Sequence, residues 1–245
     1  MKDSLNKSQI ERFSRQLVLK NIGPKGQKRI LSSKILVVGV GGLGCPAAES
    51  LVRAGIGTIG LIDNDIVNLS NIHRQSLFNS KDVTKPKVNV AAKKLKEINP
   101  LTKIETYKTK LSEKNIKDII KNYEIIIDGS DNFKTKFLIN DYCIMYKKKL
   151  ITGAISKFDG HIFSFDFEDK KTASLKDFYQ EKEISDDILN CEFDGVIGTT
   201  ASTIGTILAN ESLKMTMKIG QNLKNQILIV DLLNLNFRKV KFKKR

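Results

Sequence analysis

Cysteines, long apolar runs and aromatic side chains are all scarce in this chain of 245 residues. The three cysteines, Cys45, Cys143 and Cys191, form no Cys-x-x-Cys pair, which fits a reducing compartment and excludes a four-thiolate zinc site built from this chain alone. The longest apolar runs, such as 35–38 and 125–127, are far shorter than the roughly 20 residues of a membrane-spanning helix. Because the first residues are polar and charged, we expect no signal peptide and predict a cytoplasmic protein without membrane contact.

Aromatic residues make up only 7% of the chain, while the formal net charge is +15. A charge of this sign attracts nucleic acids, but the lysines are spread along the whole chain, and no RNA-binding or helix-turn-helix signature is present. We therefore expect no nucleic-acid partner. The charge favours smaller anions such as ATP, and it would speed the encounter with an acidic protein.

The first part of the chain alternates strands and helices, the pattern of a mostly parallel sheet with helices on both faces. Predicted strands lie at 34–39, 58–63, 103–107, 124–128 and 150–155, and predicted helices at 43–54, 85–98, 113–121 and 132–147. Apolar spacing predicts an amphipathic leader helix at 8–20, within a leader region 8–30. Residues 31–157 are interpreted as the doubly wound, Rossmann-like nucleotide-binding half of an α/β protein.

The second half, 158–245, has a different pattern. The letters HIFSFDF (161–167) alternate apolar and polar residues, as in an antiparallel strand. This half is predicted to contain a helix at about 200–217 and a closing hairpin of strands 226–232 and 235–242. The polar stretch 168–190 is predicted to be a mobile crossover with few apolar anchors. We expect one domain, 1–245, in which the parallel sheet continues into antiparallel strands and the second half binds a protein partner.

A dinucleotide fingerprint stands at the end of the first strand, where Gly39-x-Gly41-x-x-Gly44 follows the apolar run 35–38. In this pattern, glycines let the backbone turn tightly and approach a phosphate group at a helix N-terminus. Asp63 ends the second strand nineteen residues after Gly44, where its carboxylate can accept a hydrogen bond from a ribose hydroxyl. These residues predict a nucleotide site, and up to this point they fit a dehydrogenase as well.

A second polar set follows the second strand and argues against a nicotinamide cofactor. It comprises Asp65, Asn71, Arg74 and Gln75. A hydride-transfer site has no evident use for these groups, and the chain contains no Tyr-x-x-x-Lys pair to handle the proton. A guanidinium binds phosphate oxygens in a bidentate fork and stays charged, so the set favours a triphosphate.

The same residues belong to a longer pattern that resembles the ThiF/MoeB/HesA family, the bacterial relatives of ubiquitin-activating enzymes. The pattern consists of RFSRQLVL (12–19), the run from VGVGGLG to RQSLF (38–78), KPKV (85–88), INP (98–100), DGSDNF (128–133) and the run from CEFDG to NESLK (191–214). It extends in order from about residue 8 to residue 240. A lone Gly-x-Gly-x-x-Gly is shared by many enzymes, but this ordered set of motifs is specific.

The resemblance implies a nucleotidyltransferase that uses ATP and Mg²⁺ to adenylate the C-terminal glycine of a small ubiquitin-like sulfur carrier protein. Such carriers, of the ThiS or MoaD type, end in Gly-Gly. The acyl-adenylate is then primed for sulfur transfer, so a sulfurtransferase or cysteine desulfurase is a candidate further partner. The resemblance does not decide whether the product is thiamine, molybdopterin or another sulfur compound.

The resemblance also implies roles for single residues. Arg74 and Lys87 match positions that neutralise the phosphates, and Asp131 matches the acid that holds Mg²⁺ together with phosphate oxygens. Asp131 is also a candidate N-cap for the helix that begins at 132. The other expected nucleotide contacts are Asp63 on the ribose, Asn71 and Gln75 on phosphate oxygens with Asp65 beside them, and the backbone of Gly39, Gly41, Gly42 and Gly44.

Five further positions have expectations of their own. In this family, the arginine at the position of Arg15 reaches across a homodimer into the partner's ATP site, so we expect a homodimer in which Arg15 acts in trans. Cys191 matches a cysteine that forms a sulfur link to the carrier in ThiF-like members and has no such role in MoeB-like members; both interpretations stay open. His73 stands where the family usually has Gln and is interpreted as a surface residue, whereas Cys45 and Cys143 are assigned to the core.

One departure from the family concerns zinc. Members of this kind usually carry two Cys-x-x-Cys pairs that bind a structural zinc ion, and this chain has none, so no structural zinc is expected. Three alternatives to the carrier adenylyltransferase stay open. They are adenylation of another carboxylate or peptide, an NAD-dependent Rossmann oxidoreductase, and an enzyme-like scaffold that binds a ubiquitin-like partner without adenylating it.

Overall fold

The computed structural model describes residues 4–179 and 195–245. Its helices are α1 Lys7–Arg12, α2 Ser14–Leu17, α3 Gly23–Ser32, α4 Gly44–Ala54, α5 Lys87–Ile98, α6 Ile116–Ile120, α7 Phe133–Met145, α8 Leu175–Phe178 and α9 Gly198–Met217. Its strands are β1 Lys34–Val38, β2 Thr58–Ile62, β3 Lys103–Tyr107, β4 Ile125–Asp128, β5 Lys149–Ser156, β6 Asp159–Asp166, β7 Gln226–Asp231 and β8 Asn236–Lys241. Within these ranges, no helix is long and apolar enough to cross a membrane.

The strands of the described residues form one sheet in the order β3-β2-β1-β4-β5-β6-β7-β8. The pairs from β3 to β5 are parallel, and the pairs from β5 to β8 are antiparallel. The predicted α/β fold, a Rossmann-like parallel half continued by antiparallel strands, is therefore confirmed. Because the chain leaves β1 toward β2 on one side and later returns to β4 on the other, the sheet has a topological switch point at β1 and β4, where ligands of such folds bind.

The alternation along β1 explains why both faces of the sheet are covered. Ile35 and Val37 are fully buried in a core that includes residues of α4, α5 and α9. Leu36 and Val38 point to the opposite face and join a second core with residues of α6, α7 and α8. A parallel strand that is buried on both faces needs a continuous apolar sequence, which 35–38 provides.

The leader helix predicted at 8–20 is wrong as a single helix, because Phe13 separates α1 from α2. Phe13 is fully buried, and its ring fills the space beside Gly55, where a Cβ on the glycine would lie only 2.4 Å from the ring. This contact holds the leader against the C-terminal end of α4. The prediction also missed α3, although Pro24 in its first turn is a typical start signal.

The expectation of few apolar anchors in the crossover is wrong for residues 168–179, whereas its mobility stays a prediction. Ala173 and Leu175 are buried there, and the Tyr179 ring contacts the Phe133 ring at a centroid distance of 5.0 Å. The amide of Leu175 also donates a hydrogen bond of 3.0 Å to the side chain of Asn140 in α7. The remainder of the predicted crossover, 180–190, lies outside the described residues.

Candidate functional site

The loop between β1 and α4 lies at the carboxyl edge of the sheet and has little free space around its backbone. Gly39 has a φ angle of +83°, in the left-handed region that favours glycine. A Cβ on Gly44 would lie 1.8 Å from the carbonyl oxygen of Gly39, so only glycine permits this turn. No side chain caps the first turn of α4. An uncapped helix N-terminus behind a tight glycine loop is a typical binding place for a phosphate group.

Asp63 joins the end of β2 to this loop. Its Oδ2 accepts a hydrogen bond from the Val40 amide at 2.8 Å, and its Oδ1 accepts one from the Asp65 amide, also at 2.8 Å. Each oxygen of an ionised carboxylate can accept a further hydrogen bond. The structure therefore leaves Asp63 able to bind a ribose hydroxyl while it fixes the loop.

Lys87 and Asp65 are brought together although they are distant in sequence. The Nζ of Lys87 donates to Oδ2 of Asp65 at 3.0 Å, and the Lys87 amide donates to the Asp65 carbonyl oxygen at 3.0 Å. Pro86 directly precedes α5, so the helix starts at Lys87, two residues after its predicted start at 85. Asp65 in turn contacts Asp63, which holds the glycine loop. The buried ammonium group of Lys87 can bind an anionic ligand at this place.

Arg74 lies over the glycine loop, with its side-chain carbons close to Gly42. Its Nη1 donates to the Ser70 carbonyl oxygen at 2.9 Å and is also 2.9 Å from Nε2 of His73. His73 is exposed, as predicted, but this contact with a candidate site residue was not foreseen. The His73 ring can therefore help to fix the orientation of the guanidinium.

Two amides close to Arg74 are buried. Asn71 is engaged in its own turn, because its Oδ1 accepts a hydrogen bond of 3.2 Å from the Asn68 amide. Gln75 is only 4% exposed, and its Oε1 has no hydrogen-bond partner in the described part of the chain. Its Nε2 lies 3.8 Å from the position that a Cβ on Gly41 would occupy. Gln75 thus contacts the glycine loop, whereas the oxygen of Asn71 already has a backbone partner.

Asp131 is exposed in the turn between β4 and α7. The prediction that Asp131 caps α7 is wrong, because Asn132 is the N-cap and its Oδ1 accepts the Thr135 amide at 2.9 Å. Oδ1 of Asp131 accepts a hydrogen bond of 3.2 Å from the Asn132 side chain and is otherwise turned to solvent. Its carboxylate is therefore accessible to a ligand at the carboxyl edge.

Sequence reasoning missed a buried ion pair below this turn. Asp128, the last residue of β4, is 0% exposed, and its Oδ2 lies 3.1 Å from Nζ of Lys136 in α7. The sequence does contain a pattern that indicates this pair: an acidic residue ends an apolar strand, and a lysine lies among apolar residues of the next helix. Such a position requires the charge to be paired.

Arg15 lies apart from the other predicted residues. It is exposed on α2, and the neighbouring Gln16 side chain donates to the Ala54 carbonyl oxygen at 3.4 Å. That contact is at the C-terminal end of α4, whereas the glycine loop is at its N-terminal end. A helix of this length spans about 16 Å at 1.5 Å per residue, so Arg15 does not approach the site of its own chain.

The cysteines that the structure describes are both in the core. Cys45 and Cys143 are fully buried, as predicted. Burial raises the pKa of Cys45 to about 12, and burial also raises the pKa of Cys143. Neither thiol is therefore a nucleophile near neutral pH. Cys191 lies outside the described residues.

The fold and the polar groups at its switch point are those expected of a nucleotide-binding α/β protein. The chain belongs to the ThiF family, whose model matches residues 13–245. The predicted family and the predicted class of enzyme, an adenylyltransferase, are confirmed by this match and by the relatives that follow.

Several relatives are similar over nearly the whole chain. A sulfur carrier protein adenylyltransferase of Thermus thermophilus is 36% identical over 96% of this chain and 88% of its own. A probable molybdopterin-synthase adenylyltransferase of Gracilaria tenuistipitata is 39% identical over 97% of this chain and 66% of its own. A SAMP-activating enzyme E1 of Haloferax volcanii is 32% identical over 98% of this chain and 88% of its own.

Solved structures support the fold. A crystal structure of E. coli MccB with ATP superposes with a TM-score of 0.83, at 20% identity, over 96% of this chain and 72% of that one. A crystal structure of PaaA has a TM-score of 0.81 at 21% identity, and the match covers 100% of this chain and 77% of that one. At these identities the likeness establishes the shared architecture alone.

Proposed function

We propose that this chain uses ATP to adenylate the C-terminal glycine of a small ubiquitin-like sulfur carrier protein. One observation supports the proposal: the uncapped N-terminus of α4, Arg74 and Lys87 lie around the glycine loop. The chain also belongs to a family of adenylating enzymes. The named relatives act on sulfur carriers or on SAMP, which supports the same substrate class here.

The triphosphate binds along the glycine loop. The N-terminus of α4 and the side chains of Arg74 and Lys87 supply positive charge, and Asp63 binds the ribose. Phosphate oxygens would compete with Asp65 for the Lys87 ammonium group and with Ser70 and His73 for Arg74. These groups position the nucleotide and offset the charge of the leaving pyrophosphate, and the reaction requires little else from the protein.

Asp131 is the residue that fits Mg²⁺. Its carboxylate is exposed at the carboxyl edge, and Mg²⁺ prefers one or two carboxylates together with phosphate oxygens. Among residues 4–179 and 195–245, no group of three or more His, Cys, Asp or Glu could hold a metal by itself. This arrangement fits an ion that arrives with the nucleotide. When bound, Mg²⁺ would neutralise phosphate charge, and Asp131 would hold it in place.

The chemical step is an in-line displacement at the α-phosphorus. The carboxylate of the carrier's last glycine attacks, an acyl–phosphate bond forms, and the bond to the pyrophosphate leaving group breaks. No side chain needs to form a covalent bond with the substrate. Arg15 of the second subunit in a homodimer would add charge near the leaving group, which fits its distance from the site of its own chain.

The carrier is proposed to dock on the antiparallel half. Strand β8 is exposed along its whole length at the edge of the sheet, and Phe237 on it is 56% exposed. Leu233 and Leu235 in the preceding turn are also exposed, and Phe158 lies beside that turn, since the Leu232 amide donates to its carbonyl oxygen at 3.0 Å. An exposed apolar group next to a basic β8 residue on the same face, such as Lys239, suits a protein partner with an apolar face and acidic rim.

The experiment is detection of the carrier adenylate by intact-protein mass spectrometry. Purified chain, ATP and Mg²⁺ are incubated with a carrier that ends in Gly-Gly, and a mass increase of one AMP on the carrier is expected. A carrier without its last two residues is the control. If another carboxylate or a peptide gains the AMP and the carrier does not, the substrate assignment is wrong although the enzyme class stands.

A further inference from the structure

The end of β4 carries a buried network that no proposed role yet uses. Asp128 accepts four hydrogen bonds: from the Ser130 amide at 2.9 Å and hydroxyl at 2.5 Å on Oδ1, and from Lys136 Nζ at 3.1 Å and Thr152 Oγ1 at 2.6 Å on Oδ2. Lys136 Nζ also donates to the Gly153 carbonyl oxygen at 2.8 Å. The side chains of Asp128 and Lys136 are only 1% and 5% exposed.

Stability alone is a poor reason for such a pair. Removing two charges from water is unfavourable, and apolar side chains of similar volume often stabilise a core at least as well. The pair lies at the carboxyl edge of the two central strands β4 and β5, beside the candidate nucleotide site. A rigid polar network at that place can instead fix the geometry of the residues above it.

Both ends of the turn that contains Asp131 are fixed by Asp128. On one side, Oδ1 of Asp128 holds Ser130, the residue before Asp131. On the other side, α7 begins with its cap Asn132, and Lys136 one turn later returns to Oδ2 of the same aspartate. Asp131 therefore lies on a short closed segment whose position depends on Lys136.

The same segment contacts the glycine loop. A Cβ on Gly39 would lie 3.0 Å from the carbonyl oxygen of Gly129, so the two backbones are in close contact. Asp128 thus fixes the position of the 129–131 turn relative to the glycine loop. Lys136 also compensates the Asp128 charge, so that this carboxylate adds no unpaired negative charge beside a bound triphosphate.

We propose that Lys136 is a positioning residue that, through Asp128, holds Asp131 where it can bind the divalent cation of the nucleotide. This inference rests on the proposed function, since it takes Asp131 as the cation ligand. Lys136 itself is buried, and its Nζ is engaged by Asp128 and the Gly153 carbonyl oxygen, so it is assigned no contact with the nucleotide. Its removal should weaken cation binding more than nucleotide binding, because Arg74 and Lys87 are left in place.

The test measures cation binding without turnover. Mn²⁺ is titrated by electron paramagnetic resonance into protein saturated with a non-hydrolysable ATP analogue and without any carrier. Lys136→Met should weaken Mn²⁺ binding by about tenfold or more, the effect typical of lost support behind a metal ligand. Lys136→Arg should restore most of the affinity, and Ser130→Ala, which keeps the charge pair, should give a smaller loss in the same direction.

Lys94→Met is the matched control. Lys94 forms a partly buried pair with Asp82, with Nζ 2.6 Å from Oδ2, and lies about two turns further along α5 than Lys87. Lys94→Met should lower the melting temperature in thermal unfolding but keep wild-type Mn²⁺ affinity. Unchanged Mn²⁺ affinity in a folded Lys136→Met protein would overturn the proposal, and so would equal losses in both lysine variants.

Two further outcomes are decisive. If Lys136→Met does not fold, Ser130→Ala decides, and wild-type Mn²⁺ affinity in that variant overturns the proposal. Loss of Mn²⁺ binding in Lys136→Met but not in Asp131→Ala would overturn it as well. Because no carrier is present, these results are independent of whether the chain adenylates a sulfur carrier.

Discussion

The Nζ atom of Lys87 lies 3.0 Å from Oδ2 of Asp65, and the lysine side chain is 7% exposed while that of the aspartate is 57% exposed. The buried member of this pair is the cation. Its ammonium group therefore reaches the surface only at the point where Asp65 holds it, beside the glycine loop. A phosphate group that binds there can take the place of the exposed carboxylate without moving the buried stem of the lysine.

Lys87→Met should weaken ATP binding by about 10- to 100-fold, because a hydrogen bond to a charged group contributes about 1.5–3 kcal/mol. The free energy of unfolding should change little, since the partner Asp65 stays solvated. The measurement is the KM for ATP in pyrophosphate exchange, with Lys85→Met as the control. Lys85 is exposed and lies two residues away, so equal effects of the two substitutions would contradict the assignment.

Asp131→Ala should abolish most activity and leave the fold intact. The side chain is exposed and caps no helix, so the free energy of unfolding should change by no more than about 0.5 kcal/mol. Pyrophosphate exchange and thermal unfolding measure the two quantities, and Asp118→Ala on α6 is an exposed acidic control. A fully active Asp131→Ala protein would show that Asp131 does not belong to the active site.

The predicted arginine in trans can be tested by mixing. Arg15→Ala and Arg74→Ala proteins should each be inactive, and a mixture should recover part of the activity, because one site of a mixed dimer holds both arginines. The recovery should be about a quarter of wild-type activity if subunits exchange at random and the two sites are independent. Exchange of subunits between the two dimers is verified with differently tagged chains. Verified exchange without recovery would show that Arg15 does not serve the partner's site.

Thiol labelling tests the chemistry of the cysteines. Because burial raises the pKa of Cys45 to about 12 and also raises that of Cys143, iodoacetamide should label neither of these two thiols in the native chain. Cys191→Ser should leave pyrophosphate exchange nearly unchanged, since adenylation requires no thiol. Sulfur transfer to the carrier should be lost only if Cys191 forms the covalent link, so transfer by the Ser variant at the wild-type rate would favour the MoeB-like mode.

The elements that position the site were predicted within one to three residues at each end. Runs such as 35–38 and 125–127 are apolar on both faces, and that pattern is specific to strands of a parallel sheet with two covered faces. The glycines could also be placed, because their spacing follows from the backbone geometry of one turn, and Asp63 could be placed because it follows the next strand of the same strand–helix–strand unit.

The errors have a shared physical cause. Phe13 interrupts the leader because its ring packs against Gly55, and the segment 168–179 is anchored by a few apolar and aromatic residues such as Leu175 and Tyr179. The contacts of Lys136 with Asp128 and of His73 with Arg74 depend equally on three-dimensional packing. Contacts of this kind leave no periodic signal in the sequence, so local propensity could not reveal them.

ATP–pyrophosphate exchange is the most direct measurement of carrier adenylation by this chain. Purified chain, Mg²⁺, ATP and labelled pyrophosphate are combined with a carrier protein that ends in Gly-Gly, and with the same carrier lacking those two residues. Label is expected in ATP only with the intact carrier, because reversal requires an acyl-adenylate on its terminal glycine. Reduction of NAD without any exchange, or exchange that is independent of the carrier's last two residues, would contradict this activity.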